Sequence, residues 1–264
     1  MFRCLLALAL VPALMSAATN VIVTVVEQKT GVPVKNLKAD DFAVLDDKSP
    51  RRVEAAEFAD GPMDVALLVD SSLMGEMVRP FAEDLIRQLQ PKEQMAVIAF
   101  HSAADLIQDF TSSRELLRQA VGGIKYGNEP RVLDAVYAAI DSGFGSGSFR
   151  RVIILVTTGF EGNSRVGERQ VIRLARRNQV SIFPVYAVGV ERSMLEALAR
   201  QTGGASFNLR DMRKSAGNQP GARIFEVLRS HYTLSVTGNL GLSDKLKVEV
   251  KRPGKFFVSA LALD

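Results

Sequence analysis

Hydrophobic and polar positions change their period several times along this chain. Asn20–Val26 (NVIVTVV), Phe42–Leu45 and Arg52–Phe58 are short runs rich in β-branched and aromatic residues, parted by polar turns at Lys29-Thr30-Gly31 and Asp46–Pro50. This pattern predicts a small all-β segment, and so few strands need a further layer to bury both faces. From Met63 to about Arg210 short apolar runs alternate with stretches whose apolar residues recur every three or four positions. The runs Val65–Asp70, Gln94–Phe100, Leu106–Phe110, Arg151–Thr157 and Ser181–Val188 predict strands. Glu76–Leu89, with Met77, Phe81, Leu85 and Leu89 spaced by four, predicts a helix, as do Ser113–Ile124, Val132–Asp141, Glu168–Arg177 and Ser193–Thr202. Such alternation predicts a doubly wound α/β unit with a mostly parallel sheet.

Punctuation supports these bounds. Ser112 or Ser113, followed by Glu115 or Leu116, offers a cap for the second helix, and Gly203-Gly204 ends the last. Gly143–Ser148 reads as a linker, because it precedes a strand whereas a phosphate-binding loop follows one. Asp211–Ala222 is polar and contains glycine, which predicts a mobile loop, and Ile224–Leu228 a helical turn. Three more strand-like runs follow, His231–Val236, Leu246–Val250 and Phe256–Leu261, with turns at Gly238–Gly241 and Pro253-Gly254. They are natural partners for the N-terminal strands. The expected organisation is a leader over residues 1–18, one part of a discontinuous β-sandwich over 19–60, and the α/β domain over 61–212. A loop and short helix follow over 213–229, and the second part of the sandwich over 230–264.

Composition narrows the class. Hydrophobic residues make up 47% of the 264, enough for a sizeable core. The formal charge of +4 is spread over scattered arginine pairs (Arg51-Arg52, Arg150-Arg151, Arg176-Arg177), which argues against a nucleic-acid tract. Arg3, the apolar run Leu5–Leu14 and the small residues Ser16-Ala17-Ala18 resemble a secretory signal cut before Thr19. The run is shorter than the roughly 20 residues that span a bilayer. Export to the periplasm, cell envelope or extracellular space is therefore expected, with envelope association open. The single cysteine, Cys4, lies within this leader, so the rest of the chain has no disulfide and no thiolate chemistry.

The centre of the pattern is Met63–Met74 (MDVALLVDSSLM), where an apolar strand stops at a carboxylate and two hydroxyls. The carboxyl edge of an open α/β sheet is where ligands bind. VALLVDSS, with QMAVIAF, LDAVYAAI, RRVIILVTTG, SIFPVYAVGV and the Gln201-Thr202-Gly203-Gly204 tail, resembles the von Willebrand factor type A domain. The flanks TGVPVKNLKADDFAVLDD, Phe58 and KVEVKRPGK resemble the bacterial secreted form with flanking β segments. The resemblance covers essentially the whole chain after the leader and implies a Rossmann-like domain of the adhesion or protein-binding kind.

Many such domains hold a divalent cation at a metal-ion-dependent adhesion site, built from Asp-x-Ser-x-Ser, a threonine and a second aspartate. By this resemblance Asp70 and Ser72 match, while Met74, Pro130 and Thr158 stand at the other three positions. Magnesium and calcium require hard oxygen ligands, and a thioether suits neither. The expectation is a degenerate site without a cofactor, where Asp70 and Ser72 cap the helix that follows. Glu76, Glu129 and Glu161 are the substitutes that could rebuild weak magnesium or calcium binding, giving a cation-dependent adhesion module as the alternative.

Other chemistry finds little support. His101 follows a strand at the same sheet edge as Asp70 and Ser72, but no Gly-x-Ser-x-Gly elbow exists, and His231 begins a distant strand. Asp40-Asp41 and Asp46-Asp47 are neighbours that point to opposite faces or lie in turns. No Walker loop, dinucleotide fingerprint, HExxH or EF-hand loop occurs. The expectation is a non-enzymatic module that binds a protein partner, with no nucleic acid and no small-molecule substrate. Its partner-binding face would comprise Ser71, Met74, Glu129 and Phe160, with Ser72, Pro130 and Thr158 beside them.

Overall fold

The structure is a computed structural model that describes residues 18–59, 61–145, 149–215, 219–240 and 245–263. The predicted leader up to residue 17, residues 146–148 of the predicted linker, residues 216–218 and Gly241 lie outside the described residues. Among the described residues no helix is long and apolar enough to cross a membrane.

The centre is a six-stranded sheet of β5 (Met63–Asp70), β6 (Gln94–Phe100), β7 (Ala104–Thr111), β8 (Arg150–Thr157), β9 (Val180–Tyr186) and β10 (Phe207–Asn208). Their order is β10-β9-β8-β5-β6-β7, all parallel except the edge strand β7. Helices cover both faces. Val65, Leu67 and Val69 of β5 join the core shared with α1 (Arg79–Arg87), α2 (Arg114–Gly122) and α7 (Pro220–Arg229). The intervening Ala66 and Leu68 join the core formed with α3 (Val132–Ser142), α4 (Glu168–Arg177) and α5 (Arg192–Gln201). A strand between two helical layers buries every side chain, and so its sequence is apolar without alternation.

The terminal strands form two antiparallel sheets. β1 (Ala18–Glu27) lies between β11 (His231–Thr237) and β13 (Phe256–Leu263), with β4 (Val53–Ala59) beyond β11. β2 (Phe42–Asp46) lies between β3 (Ser49–Arg51) and β12 (Leu246–Val250). Val21, Val23, Val25, Phe42, Val44, Leu234, Val236 and Val248 fill the space between them. Tyr232 closes this core: its ring meets Phe42 and Phe58 edge-on at 5.3 Å, and its hydroxyl donates to the Val34 carbonyl at 2.9 Å. The expected discontinuous sandwich is thus present, and its outer face rests on the α/β layer. Thr24 Oγ1 donates to the Gly203 carbonyl (2.8 Å) and Ser259 Oγ to the Gly204 carbonyl (2.5 Å). Gly203 has a φ of +72°, and a Cβ on Gly204 would lie 1.8 Å from the Ile182 carbonyl oxygen, so neither position admits a side chain without rearrangement.

Two sequence expectations need correction. The predicted helix Glu76–Leu89 is a 3-10 turn at Gly75–Val78 followed by α1. Pro80 lacks an amide hydrogen and fits only in the first turn of an α-helix, which sets the start at Arg79. The buried stripe is accordingly Val78, Ala82, Leu85, Ile86 and Leu89, and Met77 stays 47% exposed. The predicted loop Asp211–Ala222 instead holds most of α6 (Leu209–Ser215) and the start of α7. Buried Leu209 and Met212 anchor α6, and the Gly221 amide donates to Asp84 Oδ2 at 2.7 Å. At the second helix it is Ser113 that caps, its hydroxyl accepting from the Leu116 amide.

The sandwich meets the α/β layer at a partly buried cation. The Arg150 guanidinium donates to the Leu228 carbonyl (2.6 Å) and Ser181 Oγ (3.3 Å), and stands 3.4 Å from His231 Nδ1. Burial lowers Arg150 to about 10, and burial plus the neighbouring Arg150 charge depresses His231 to about 3. The unfolded chain takes up this proton near the ordinary value of 6.5, whereas the folded chain resists until about 3. Stability from His231 is therefore complete above pH 6.5 and falls as pH drops through that window. The expected loss reaches about 3–5 kcal/mol at the acid end. Urea unfolding of wild type and His231→Gln between pH 7 and 5 checks this, and equal slopes would refute it.

Candidate functional site

β5 lies between β6 and β8, so its last residue, Asp70, emerges at the middle of the sheet's carboxyl edge. Its side chain is fully buried. Oδ1 accepts from the Ser72 amide at 2.9 Å. Oδ2 accepts three donors from the end of β8: Thr157 Oγ1 (3.1 Å), the Thr158 amide (2.9 Å) and Thr158 Oγ1 (2.8 Å). A carboxylate only accepts, so both threonine protons point at it. Asp70 thus clasps two strand ends together. It does not cap the following helix as expected from the sequence: neither the 3-10 turn nor α1 has a side-chain cap.

The backbone around this clasp is tightly constrained. After Asp70 the chain doubles back so closely that a Cβ on Gly75 would lie 2.2 Å from the Asp70 carbonyl oxygen. Gly159 has a φ of +96°, and its Cβ would lie 1.8 Å from the Val188 carbonyl oxygen. Main-chain bonds stitch the upper loops together: Gly127 N to Ser71 O (2.9 Å), Leu73 N to Asn128 O (3.2 Å), Arg131 N to His101 O (2.8 Å) and Gly162 N to Pro130 O (2.7 Å).

These bonds bring Ser72, Met74, Glu129, Pro130, Thr158 and Phe160 around one shallow hollow of about 140 Å³, with Leu73 and Asn128. Of the proposed face, Met74 is 53% exposed, Glu129 is exposed and Phe160 half-buried. Ser71 is not on it, because the residue is 1% exposed and its amide donates to the Phe100 carbonyl at 2.7 Å. The sequence reading missed Leu73, 77% exposed, and the neighbouring Met77. The available signal was Pro80, which belongs in the first turn of an α-helix and so places Leu73–Met77 ahead of the regular helix.

The substitute acids are not gathered here. Glu76 and Glu129 are exposed. Glu161 turns to α3, accepting from the Leu133 and Ser164 amides at 3.2 Å, and burial raises its carboxyl. Among the described residues no group of three or more His, Cys, Asp or Glu could hold a metal ion. His101 Nδ1 accepts from the Ser102 amide, while the Asp70 oxygens are taken by Ser72, Thr157 and Thr158, so no His–Ser–Asp relay forms.

A mostly parallel central sheet covered by helices on both faces, with an acid-hydroxyl turn at a central strand, is the arrangement the sequence resemblance implied. Residues 64–219, more than half of the chain, match the von Willebrand factor type A domain. The chain belongs to that family. Among solved structures the type A domain here is similar to proximal thread matrix protein 1 from the mussel byssus, described with a zinc-occupied MIDAS motif. The two share 16% identity with a TM-score of 0.56, covering 70% of this chain and 50% of that one. The chain thus spans about half the length of the byssus protein, and at that identity the likeness speaks for the fold. BatB from Bacteroides thetaiotaomicron is also similar, with 17% identity and a TM-score of 0.47 over 64% of this chain and 99% of that one. No curated protein matches the chain.

The clasp makes a direct prediction. Asp70→Ala leaves four buried donors without their acceptor and should cost about 3–5 kcal/mol. Chemical denaturation measures this, and a loss under about 1 kcal/mol would show that the clasp contributes little.

Proposed function

We propose that this type A domain is an exported, non-enzymatic interaction module whose upper face takes a protein partner without a bound cation. The observation that carries the reading is the Asp70 carboxylate, with three protein donors on one oxygen and a fourth on the other. A cation there would compete with Thr157 and Thr158 for the same lone pairs. The other positions supply little: Met74 a soft sulfur, Pro130 no side-chain donor, and Thr158 a neutral hydroxyl already aimed at Asp70. This donor set does not fit magnesium or calcium.

Leu73, Met74 and Met77, between 47% and 77% exposed on one turn, supply an apolar contact in place of the cation. Clustered exposed apolar side chains beside a polar rim are the physical mark of a protein-binding patch. Export rests on the leader-like Arg3, Leu5–Leu14 and Ser16-Ala17-Ala18. In this reading no cofactor, nucleic acid or small-molecule substrate is involved, and attachment to the cell envelope is compatible with it.

Isothermal titration of the protein with magnesium, manganese and calcium, beside Asp70→Ala, is the test. No heat and no thermal stabilisation at millimolar ion is expected. Micromolar binding abolished in Asp70→Ala would replace this reading with a cation-dependent adhesion module using substitute ligands. The converse variant, M74S/P130T/T158D, restores the oxygen set and sets two carboxylates side by side. It should melt below wild type without metal and recover several degrees with millimolar magnesium; calorimetry that finds no ion effect would count against the ligand argument.

A further inference from the structure

We propose that the outward face of α4 is a second docking surface, separate from the upper loops, that receives an acidic helical segment of a protein partner. α4 packs between α3 and α5, burying Val171, Ile172 and Ala175. Its Arg176 turns inward and donates to the Gln201 carbonyl at 2.9 Å. The opposite face carries Arg169, Arg173 and Arg177, one turn apart in a stripe about 12 Å long.

All three are exposed, and none has a side-chain hydrogen bond or ion pair among the described residues. Several exposed arginines elsewhere are matched, Arg87 with Asp84, Arg118 with Glu115, Arg192 with Glu196 and Arg252 with Asp41, while the unmatched Arg52, Arg165 and Arg210 stand apart in the sequence and form no such stripe. Like charges spaced by four destabilise the helix that bears them. The spacing therefore works mildly against α4, offset at Arg177 by its place in the last turn, and opposite charge brought by a partner would relieve it.

The shape of the stripe selects the partner. Arg173 and Arg177, with Tyr137, Gln170 and Leu174, wall a hollow of about 180 Å³. A partner carboxylate seated there meets two guanidinium forks, which take carboxylates in bidentate fashion, while its methylenes lie on Tyr137 and Leu174. The positive strip is also narrow. Glu168 stands at its head on α4 and Asp141 is exposed on the adjoining α3. A broad phosphate surface, such as a bilayer or duplex, would press against those carboxylates, whereas one helix with acids at every fourth position lies along the stripe alone.

The test uses a fluorescent alanine-based helix carrying glutamate at every fourth position, titrated by anisotropy at about 50 mM and about 500 mM salt. Wild type is compared with R169Q/R173Q/R177Q and with K29Q/K48Q/K251Q, which removes equal charge elsewhere. Binding at low salt, weakened about tenfold or more by the arginine variant and by high salt but not by the lysine variant, supports the proposal. Equal loss in both variants, no binding at low salt, or binding to anionic vesicles or an oligonucleotide but not to the peptide overturns it. The metal titration above is unaffected by these variants, so failure here leaves the reading of the upper face standing.

Discussion

The buried carboxylate of Asp70 is the constraint on which the upper half of the molecule depends. It sits where β5 and β8 end, at the centre of the sheet, and gathers four donors from both strand ends. An acceptor in so dry a place is costly unless fully satisfied, and equally its donors are costly without it. Satisfying all of them fixes where the Ser72 and Thr158 loops leave the sheet. Gly75 and Gly159 then let the backbone pass within contact of neighbouring carbonyls. Leu73 and Met74 project into solvent as the direct outcome of that turn.

Much of this was legible in the sequence. A strand buried on both faces must be continuously apolar, and β5, β6, β8 and β9 announced themselves in that way. Most terminal strands were readable because β-branched runs with one buried face leave few other placements, but Ser49–Arg51, read as part of a turn, pairs with Val44–Asp46 as β3. What escaped had a physical cause in each case. α6 is held by two buried apolar residues, Leu209 and Met212, in an otherwise polar stretch, and composition alone read it as a loop. The exact role of Asp70 depended on Thr157 and Thr158, which are 87 and 88 residues away in the chain. Local capping rules have no access to that pairing, and Ser71, which opens a polar turn in the sequence, is buried with its amide on the Phe100 carbonyl.

If both proposed faces bind partners, they would divide labour by chemistry: apolar side chains at the loop tips would contribute contact area, which governs how long a complex lasts, while the charged stripe would act at a distance and govern how fast partners meet. They sit on different layers of one scaffold, the loops above the sheet and α4 on its flank. A partner touching both would gain from the rigid spacing between them.

The sandwich carries a further consequence in its wiring. β1 is an interior strand of its sheet, yet both its neighbours come from the far end of the chain, and Thr19 Oγ1 bonds to the Gly238 carbonyl across 219 positions. β1 must therefore wait, unpaired, for β11 and β13. Topology of this kind gives high contact order and slow closure. During vectorial synthesis, β1 stays extended and exposed while the α/β layer can already condense. Closure over so long a stretch keeps the sandwich open until β13 has been made, and the free edges of β1 are the surface most open to mispairing in that interval.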